Sequence, residues 1–358
     1  MAITIPATGS VTGYTNKYVK GTAMASTPYH PKQWEESKRD LCARIARTTG
    51  VLKIVLKTKD DPYLLERWID HHARIVGVEN LIIFDNMSTD DEVRAIYDTY
   101  RTDVLIIRFG GFHNSLHDVS AFPELYACLR ESTRFYTFID TDEYLTLIND
   151  DRYYSDESIP AFLRGYDDTG IIPATWIYNI PGSTSMYACG TDGHILSQGL
   201  KWGKPVLNSA INIAGYINHN SQIDSGLYTG RIPNNIFLRH IANYSPRQRL
   251  AANRNKLVAR KYVSADADID SIGAMDISDM ADYSIKHYVT EIRDLLKLDA
   301  KGFSPPGSLS SGQINLATNG NIEYFSDVEK TLLGNFLVPG NSYVRRILGE
   351  DKERVQGS

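Results

Sequence analysis

Phe135-Tyr136-Thr137-Phe138-Ile139-Asp140-Thr141-Asp142-Glu143-Tyr144 passes from apolar and aromatic residues to three carboxylates within four positions. That is the pattern of a buried strand that ends by delivering charge to a cleft. Side chains alternate faces on an extended chain, so Asp140 and Asp142 are expected on one side. Two carboxylates held together repel unless a cation lies between them. A hard divalent ion that also binds substrate phosphates is the natural cation. A solvated acidic turn would give the same letters, so the flanking sequence has to decide.

Upstream, strands and helices alternate. Val51-Leu52-Lys53-Ile54-Val55-Leu56 has the unbroken β-rich character of a strand covered on both faces. Pro62 suits a first helical turn, and Leu64, Leu65, Trp68, Ile69, His72 and Ile75 follow at helical spacing as far as Gly77. Leu81-Ile82-Ile83-Phe84 closes on Asp85-Asn86, and Ser88-Thr89-Asp90-Asp91 offers a cap for the next helix. Further strands are expected at 104–107 and 135–139, with a helix over 122–134 between them. This alternation predicts an α/β fold, a mostly parallel central sheet flanked by helices and joined by right-handed crossovers. Ligands on such sheets bind outside the carboxyl ends of the strands. The loops at Asp60/Asp61, Asp85/Asn86 and Asp140/Asp142 are therefore expected to meet.

Residues 1–50 are expected to form an N-terminal extension, 51–263 the α/β domain and 264–358 a mainly helical C-terminal extension. In that extension helices are expected over 279–298 and near 328–336. Hydrophobic residues make up 42% and charged residues 23% of the 358, as in a soluble globular chain. A net charge of −5 gives no basic face for nucleic acid. The three cysteines (42, 128 and 189) have no pairing or metal spacing, which points to a reducing compartment. With no apolar leader and no run of 18 apolar residues, the expectation is a cytoplasmic protein, peripheral at most to the inner membrane face.

Several motifs in order carry a family resemblance. Residues 57–72 read Lys-Thr-Lys-Asp-Asp-Pro-Tyr-Leu-Leu-Glu-Arg-Trp-Ile-Asp-His-His; then come Gly77-Val78, 83–90 closing on Asp85-Asn86-Met87-Ser88-Thr89-Asp90, and Asp140-Thr141-Asp142-Glu143. Together they resemble a nucleotide-sugar glycosyltransferase of the family 92-like group, related to family 2. Pro173-Ala174-Thr175-Trp176, the basic segment 201–206, His219 and Leu238-Arg239-His240 extend the likeness over about 51–260. It departs at Lys59-Asp60, where the family has Asn-Glu, and at His240-Ile241, where it has His-Tyr.

The resemblance implies a GT-A (Rossmann-like) fold and Mn2+- or Mg2+-dependent, inverting transfer of a sugar. The donor would be a nucleotide diphosphate sugar, UDP-hexose first, and the acceptor a hydroxyl on a glycan or glycolipid. Asp140, Asp142 and His219 are the candidate metal ligands. Lys57, Asp60, Asp85, Asn86, Asp140, Lys201, Lys204 and His240 are candidates for the donor, and Trp176 and Tyr178 for the acceptor. Asp192 and Asp224 are alternative general bases. The C-terminal extension could serve the acceptor, a lid or a homo-oligomer. Two other classes compete: a non-catalytic carbohydrate-binding scaffold on the same fold and a metal-dependent nucleotidyltransferase. Adjacent residues on a helix point about 100° apart, so His71 and His72 are expected to be structural rather than a metal pair.

Overall fold

The structure, a computed structural model, describes residues 29–149, 152–179, 186–188, 203–233, 235–240, 246–297, 312–313 and 316–317. Asp192, Lys201 and the segment 328–336 lie outside the described residues. The elements run β1 (Lys32–Gln33), α1 (Trp34–Arg47), β2 (Gly50–Thr58), α2 (Pro62–Val76), β3 (Leu81–Asp85), α3 (Asp91–Tyr100) and β4 (Leu105–Arg108). Then come α4 (Pro123–Ser132), β5 (Thr133–Ile139), β6 (Glu143–Asn149), β7 (Arg152–Tyr154), α5 (Ser158–Leu163), β8 (Ile171–Asn179), β9 (Met186–Ala188), β10 (Gly203–Asn208) and β11 (Ile236–His240). Three helices follow: α6 (Pro246–Ala259), α7 (Ile269–Gly273) and α8 (Tyr283–Lys297).

The chain divides into two compact units, Met1–Thr175 with Leu196–Leu238, and Trp176–Ile195 with Arg239–Ser358. In the first unit a mixed, mostly parallel sheet runs in the order β1-β4-β3-β2-β5-β10-β8-β11-β6-β7. The first five strands pair in parallel, and β10 enters antiparallel to both β5 and β8. Residues 32–47 belong to this body. β1 extends the sheet beside β4, and α1 buries Trp34, Leu41 and Ile45 in a core with Phe84, Phe122 and Tyr126.

Local chemistry sets the elements. Pro62 opens α2, and Gly77, at φ +79°, closes it with its N–H on Ala73 O. The cap of α3 is Asp90, which accepts from Glu92 N and Val93 N, rather than Ser88 or Thr89. β5 begins at Thr133, two residues before its expected start, because Thr133 caps α4 and pairs with Gly50. The run 211–218, which reads as β-like, is irregular apart from one bridge between Asp118 and Tyr216. Gly215, at φ +82°, breaks the extended course there. In the second unit α6, α7 and α8 enclose Leu257, Ile272, Ile285, Val289 and Ile292. Arg249 grips Glu291 through two nitrogens, at 2.5 and 3.2 Å.

Candidate functional site

β2 has β3 on one side and β5 on the other, so the chain reverses its direction of travel across the sheet at this point. The crevice outside the carboxyl ends of two such strands is where α/β sheets take ligands. Lys57 lies at the end of β2 and Asp140 just past β5. The acidic run does not leave β5 as an extended strand. Glu143 N donates to Asp140 O at 3.0 Å, closing a tight turn, and β6 starts at Glu143 itself. The alternation that would put Asp140 and Asp142 on one side therefore does not apply; they are the first and third residues of a turn.

A cation meets this turn from another strand. Lys204 on β10, with no exposed side-chain surface, places Nζ 2.7 Å from Asp140 Oδ2 and 4.0 Å from Glu143 Oε2. Its third direction is taken by Asn218 Oδ1 at 2.7 Å. Lys57 Nζ is also buried, donating to Asn114 Oδ1 at 2.7 Å with His117 Nε2 at 2.9 Å. Both lysines act on the cleft by their charge from below, since neither ammonium is open to it. Asp140 is different: about a third of its side chain (35%) remains exposed.

The electrostatics follow. Burial alone would raise the Asp140 carboxyl, but the charges of Lys204 and Lys57 hold it well below the usual range. Burial, opposed by Lys204 and helped by Asp140 and Asp142, pushes Glu143 up to about 8. Its Oε2 accepts from Asp140 N at 2.9 Å. Burial pulls Lys57 down to about 8 against the attraction of Asp140. The imidazoles here are kept neutral by burial and the two lysines: His113 at about 4, His219 at about 3, and His117 well below its usual value.

The neighbouring loops are stapled together by the other predicted residues. Asp60, at φ +46°, accepts from Thr89 N (2.6 Å) and Asp90 N (2.9 Å), and its own N–H donates to Ser88 Oγ at 2.9 Å. Asp85 accepts from Ser88 N and from Tyr97 OH at 3.0 Å, and its Oδ2 forms an ion pair with Arg108 Nε at 3.4 Å. Asn86 Nδ2 donates to Phe109 O and Gly111 O. Thr141 Oγ1 donates to Asp61 Oδ2 at 2.5 Å, joining the acidic turn to the loop after β2. His71 and His72 fasten α2 to β6: His71 Nε2 lies 2.8 Å from Leu145 O, and Leu145 N donates to His72 Nε2 at 3.2 Å.

Downstream, His219 begins a short turn, with Gln222 Oε1 accepting from its N–H at 2.8 Å. Asp224 is exposed and accepts from Gly226 N at 2.8 Å. Trp176 and His240 belong to the second unit, where their rings meet edge to face at 5.1 Å. Tyr178 is on β8, and its side chain lies outside the described residues. Sequence reasoning passed over Asn114, His117 and the partner role of Asn218. The polar His113-Asn114-Ser115 after Gly110-Gly111 was the available signal, standing on the loop that follows β4.

Among the described residues no group of three or more His, Cys, Asp or Glu is placed to hold a metal ion. Asp140, with one oxygen on Lys204 and a third of its side chain open, and the half-buried Asp142 are the carboxylates that this turn offers. That donor set fits an ion bound by one or two carboxylates together with substrate phosphates. The neutral His219 imidazole is a further ligand type that such an ion accepts.

No protein-family model matches the chain, and no curated protein does. Among solved structures, TarS of S. aureus is similar at a TM-score of 0.35 and 13% identity, covering 71% of this chain and 44% of that one. TarS 1–349 in complex with UDP-GlcNAc gives 0.31 at 12% identity, over 71% and 73% of the two chains. Glucosyl-3-phosphoglycerate synthase from Mycobacterium tuberculosis, in complex with Mg2+ and UDP, gives 0.23 at 13%, over 81% and 96%.

Proposed function

We propose that this chain is a GT-A-type, family 92-like glycosyltransferase. It moves a hexosyl group from a nucleoside diphosphate donor, UDP-hexose first, to a hydroxyl of a glycan or glycolipid, with inversion. The observation that supports this best is the cluster at the reversal point of the sheet. Two buried ammonium groups there underlie the one-third-exposed Asp140.

In the reaction the acceptor oxygen bonds to the anomeric carbon as the bond from that carbon to the diphosphate breaks. The bonding pair leaves with the nucleoside diphosphate, and the acceptor proton passes to a carboxylate. Asp192 and Asp224 are the candidates for that carboxylate. Asp140, Asp142 and His219 are the candidates that would hold Mg2+ or Mn2+ together with the diphosphate. When bound, such an ion supplies Lewis-acid stabilisation of the departing charge. Lys57 and Lys204 set a positive field beneath the diphosphate. Asp60, Asp85 and Asn86 keep the donor loops in place; His240 and Lys201 are further candidates for the donor, and Trp176 and Tyr178 are candidates for the acceptor. Among the described residues no helix is long and apolar enough to cross a membrane. A cytoplasmic setting peripheral to the membrane, and homo-oligomer contacts through residues 264–358, belong to the same proposal.

Calorimetry with UDP, GDP and CMP, each with and without Mn2+, tests it. The expected result is metal-enhanced binding of one nucleotide diphosphate that Asp142→Ala abolishes. Absence of binding by every nucleotide would favour the carbohydrate-binding scaffold instead.

A further inference from the structure

Among the described residues five large apolar side chains stand exposed: Tyr63, Met87, Phe112, Tyr262 and Leu296. Exposed apolar residues scattered singly are ordinary. Three of these five, however, lie on the loops or first helical turn that follow β2, β3 and β4, which are adjacent parallel strands. That is the carboxyl edge of the sheet, where Lys57 and Asp140 lie.

The three are not equivalent. The Arg67 guanidinium lies 5.3 Å from the centre of the Tyr63 ring, and Gln33 Nε2 donates to Met87 Sδ at 3.6 Å. Phe112 is 72% exposed, with no ring or cationic partner among the described residues. Its backbone is nonetheless fastened on both sides. Asn86 Nδ2 holds Phe109 O at 3.2 Å and Gly111 O at 3.4 Å. Ser115 N donates to Phe112 O at 2.9 Å, and Asn114, two residues on, receives Lys57 Nζ. A flat apolar ring is thus carried on a fixed loop with most of its surface in water.

A nucleoside diphosphate has two chemically distinct ends, a charged diphosphate and a planar base. The charged end belongs over Asp140 and the two lysines. β4 is two strands away from β2, which carries Lys57, and three from β5, which leads to Asp140, about 10 to 15 Å at the spacing of neighbouring strands. A nucleoside diphosphate covers that span between its phosphates and its base. We infer that Phe112 is the platform on which the base of the donor stacks, an inference that rests on the transferase reading above. Stacking on an aromatic face tolerates any base. Phe112 therefore supplies affinity for the nucleoside end, and the choice between bases is made elsewhere.

The test measures binding of UDP, GDP and inorganic pyrophosphate to the full chain, unaltered and as Phe112→Ala and Phe112→Trp, with Mn2+ present. Phe112→Ala is expected to weaken whichever nucleoside diphosphate binds by about tenfold or more, leaving pyrophosphate unchanged, while Phe112→Trp restores affinity. Unchanged nucleotide affinity in Phe112→Ala overturns the inference, and so does an equal loss for pyrophosphate. If the unaltered chain binds no nucleotide, the transferase reading itself fails, a result distinguishable because it appears before any substitution. Phe112 is 72% exposed and stands outside the buried core, so a loss of folding does not enter the comparison.

Discussion

Two strand ends look alike in the sequence and have opposite fates. β3 finishes in Phe84-Asp85 and β5 in Ile139 followed by Asp140, each an apolar run meeting a carboxylate. The Asp85 side chain is 2% exposed and is engaged by Ser88 N, Tyr97 OH and the Arg108 guanidinium. The Asp140 side chain has one oxygen on Lys204 and is 35% exposed. Asp85 is arranged as a knot that shapes the next loop; Asp140 is arranged as a presented charge. A carboxylate at a strand end therefore marks where a site can be, and the saturation of its oxygens marks whether it faces a ligand.

Acid should separate the two regions most strongly. His113, His117 and His219 surround the Asp140 cluster and are held neutral, whereas free imidazoles titrate near 6.5. The unfolded chain takes up protons below 6.5 that the folded chain refuses until well below that value. The stability they contribute, complete above 6.5, is thus lost as pH falls through that window. The loss is up to about 1.4 kcal/mol per pH unit for each buried imidazole. Glu143, raised to about 8, works the other way: its contribution is complete below 4.5 and lost as pH rises toward 8. Urea unfolding at pH 7.5, 6 and 5 should show a net fall, and a flat profile would contradict the buried imidazoles.

Substitution gives the next largest contrast. Asp85→Ala leaves a phenol and a backbone N–H without their acceptor and a guanidinium without its counter-charge, and should cost about 3–5 kcal/mol in urea unfolding. Asp140→Asn retains an acceptor for Lys204 and should cost less, about 1–3 kcal/mol. A double-mutant cycle of Asp140→Asn with Lys204→Met should show coupling of about 1–3 kcal/mol, and strict additivity would break the proposed pairing. Asp142→Asn should move stability by less than about 1 kcal/mol while lowering donor affinity in Mn2+ by about tenfold or more. Smallest of all, Phe112→Ala should leave the urea midpoint within about 0.5 kcal/mol of the unaltered chain.

Much of the fold was legible from periodicity. The β2–α2–β3–α3–β4 alternation, Pro62 and Gly77 are written in short windows, because helix and strand periods depend on near neighbours. The site was legible as an edge, since strand ends collect there. The shape of the acidic turn was not: the four letters 140–143 suit an extended strand or a tight turn equally, and β6, returning at once, imposed the turn. Nor was the run 211–218 legible, where apolar letters suggested a strand and Gly215 with one bridge to Asp118 made a loop.

By itself the sequence determined the order of strands and helices and the placing of carboxylates at successive strand ends. Only the tertiary structure decided which of those carboxylates are saturated, because their partners come from far along the chain. Lys204 reaches Asp140 across 64 residues and His117 reaches Lys57 across 60. No local period records such pairs. They exist because burying an ammonium or a carboxylate is costly unless an opposite charge or a hydrogen bond is brought to it, and the packed sheet brought them.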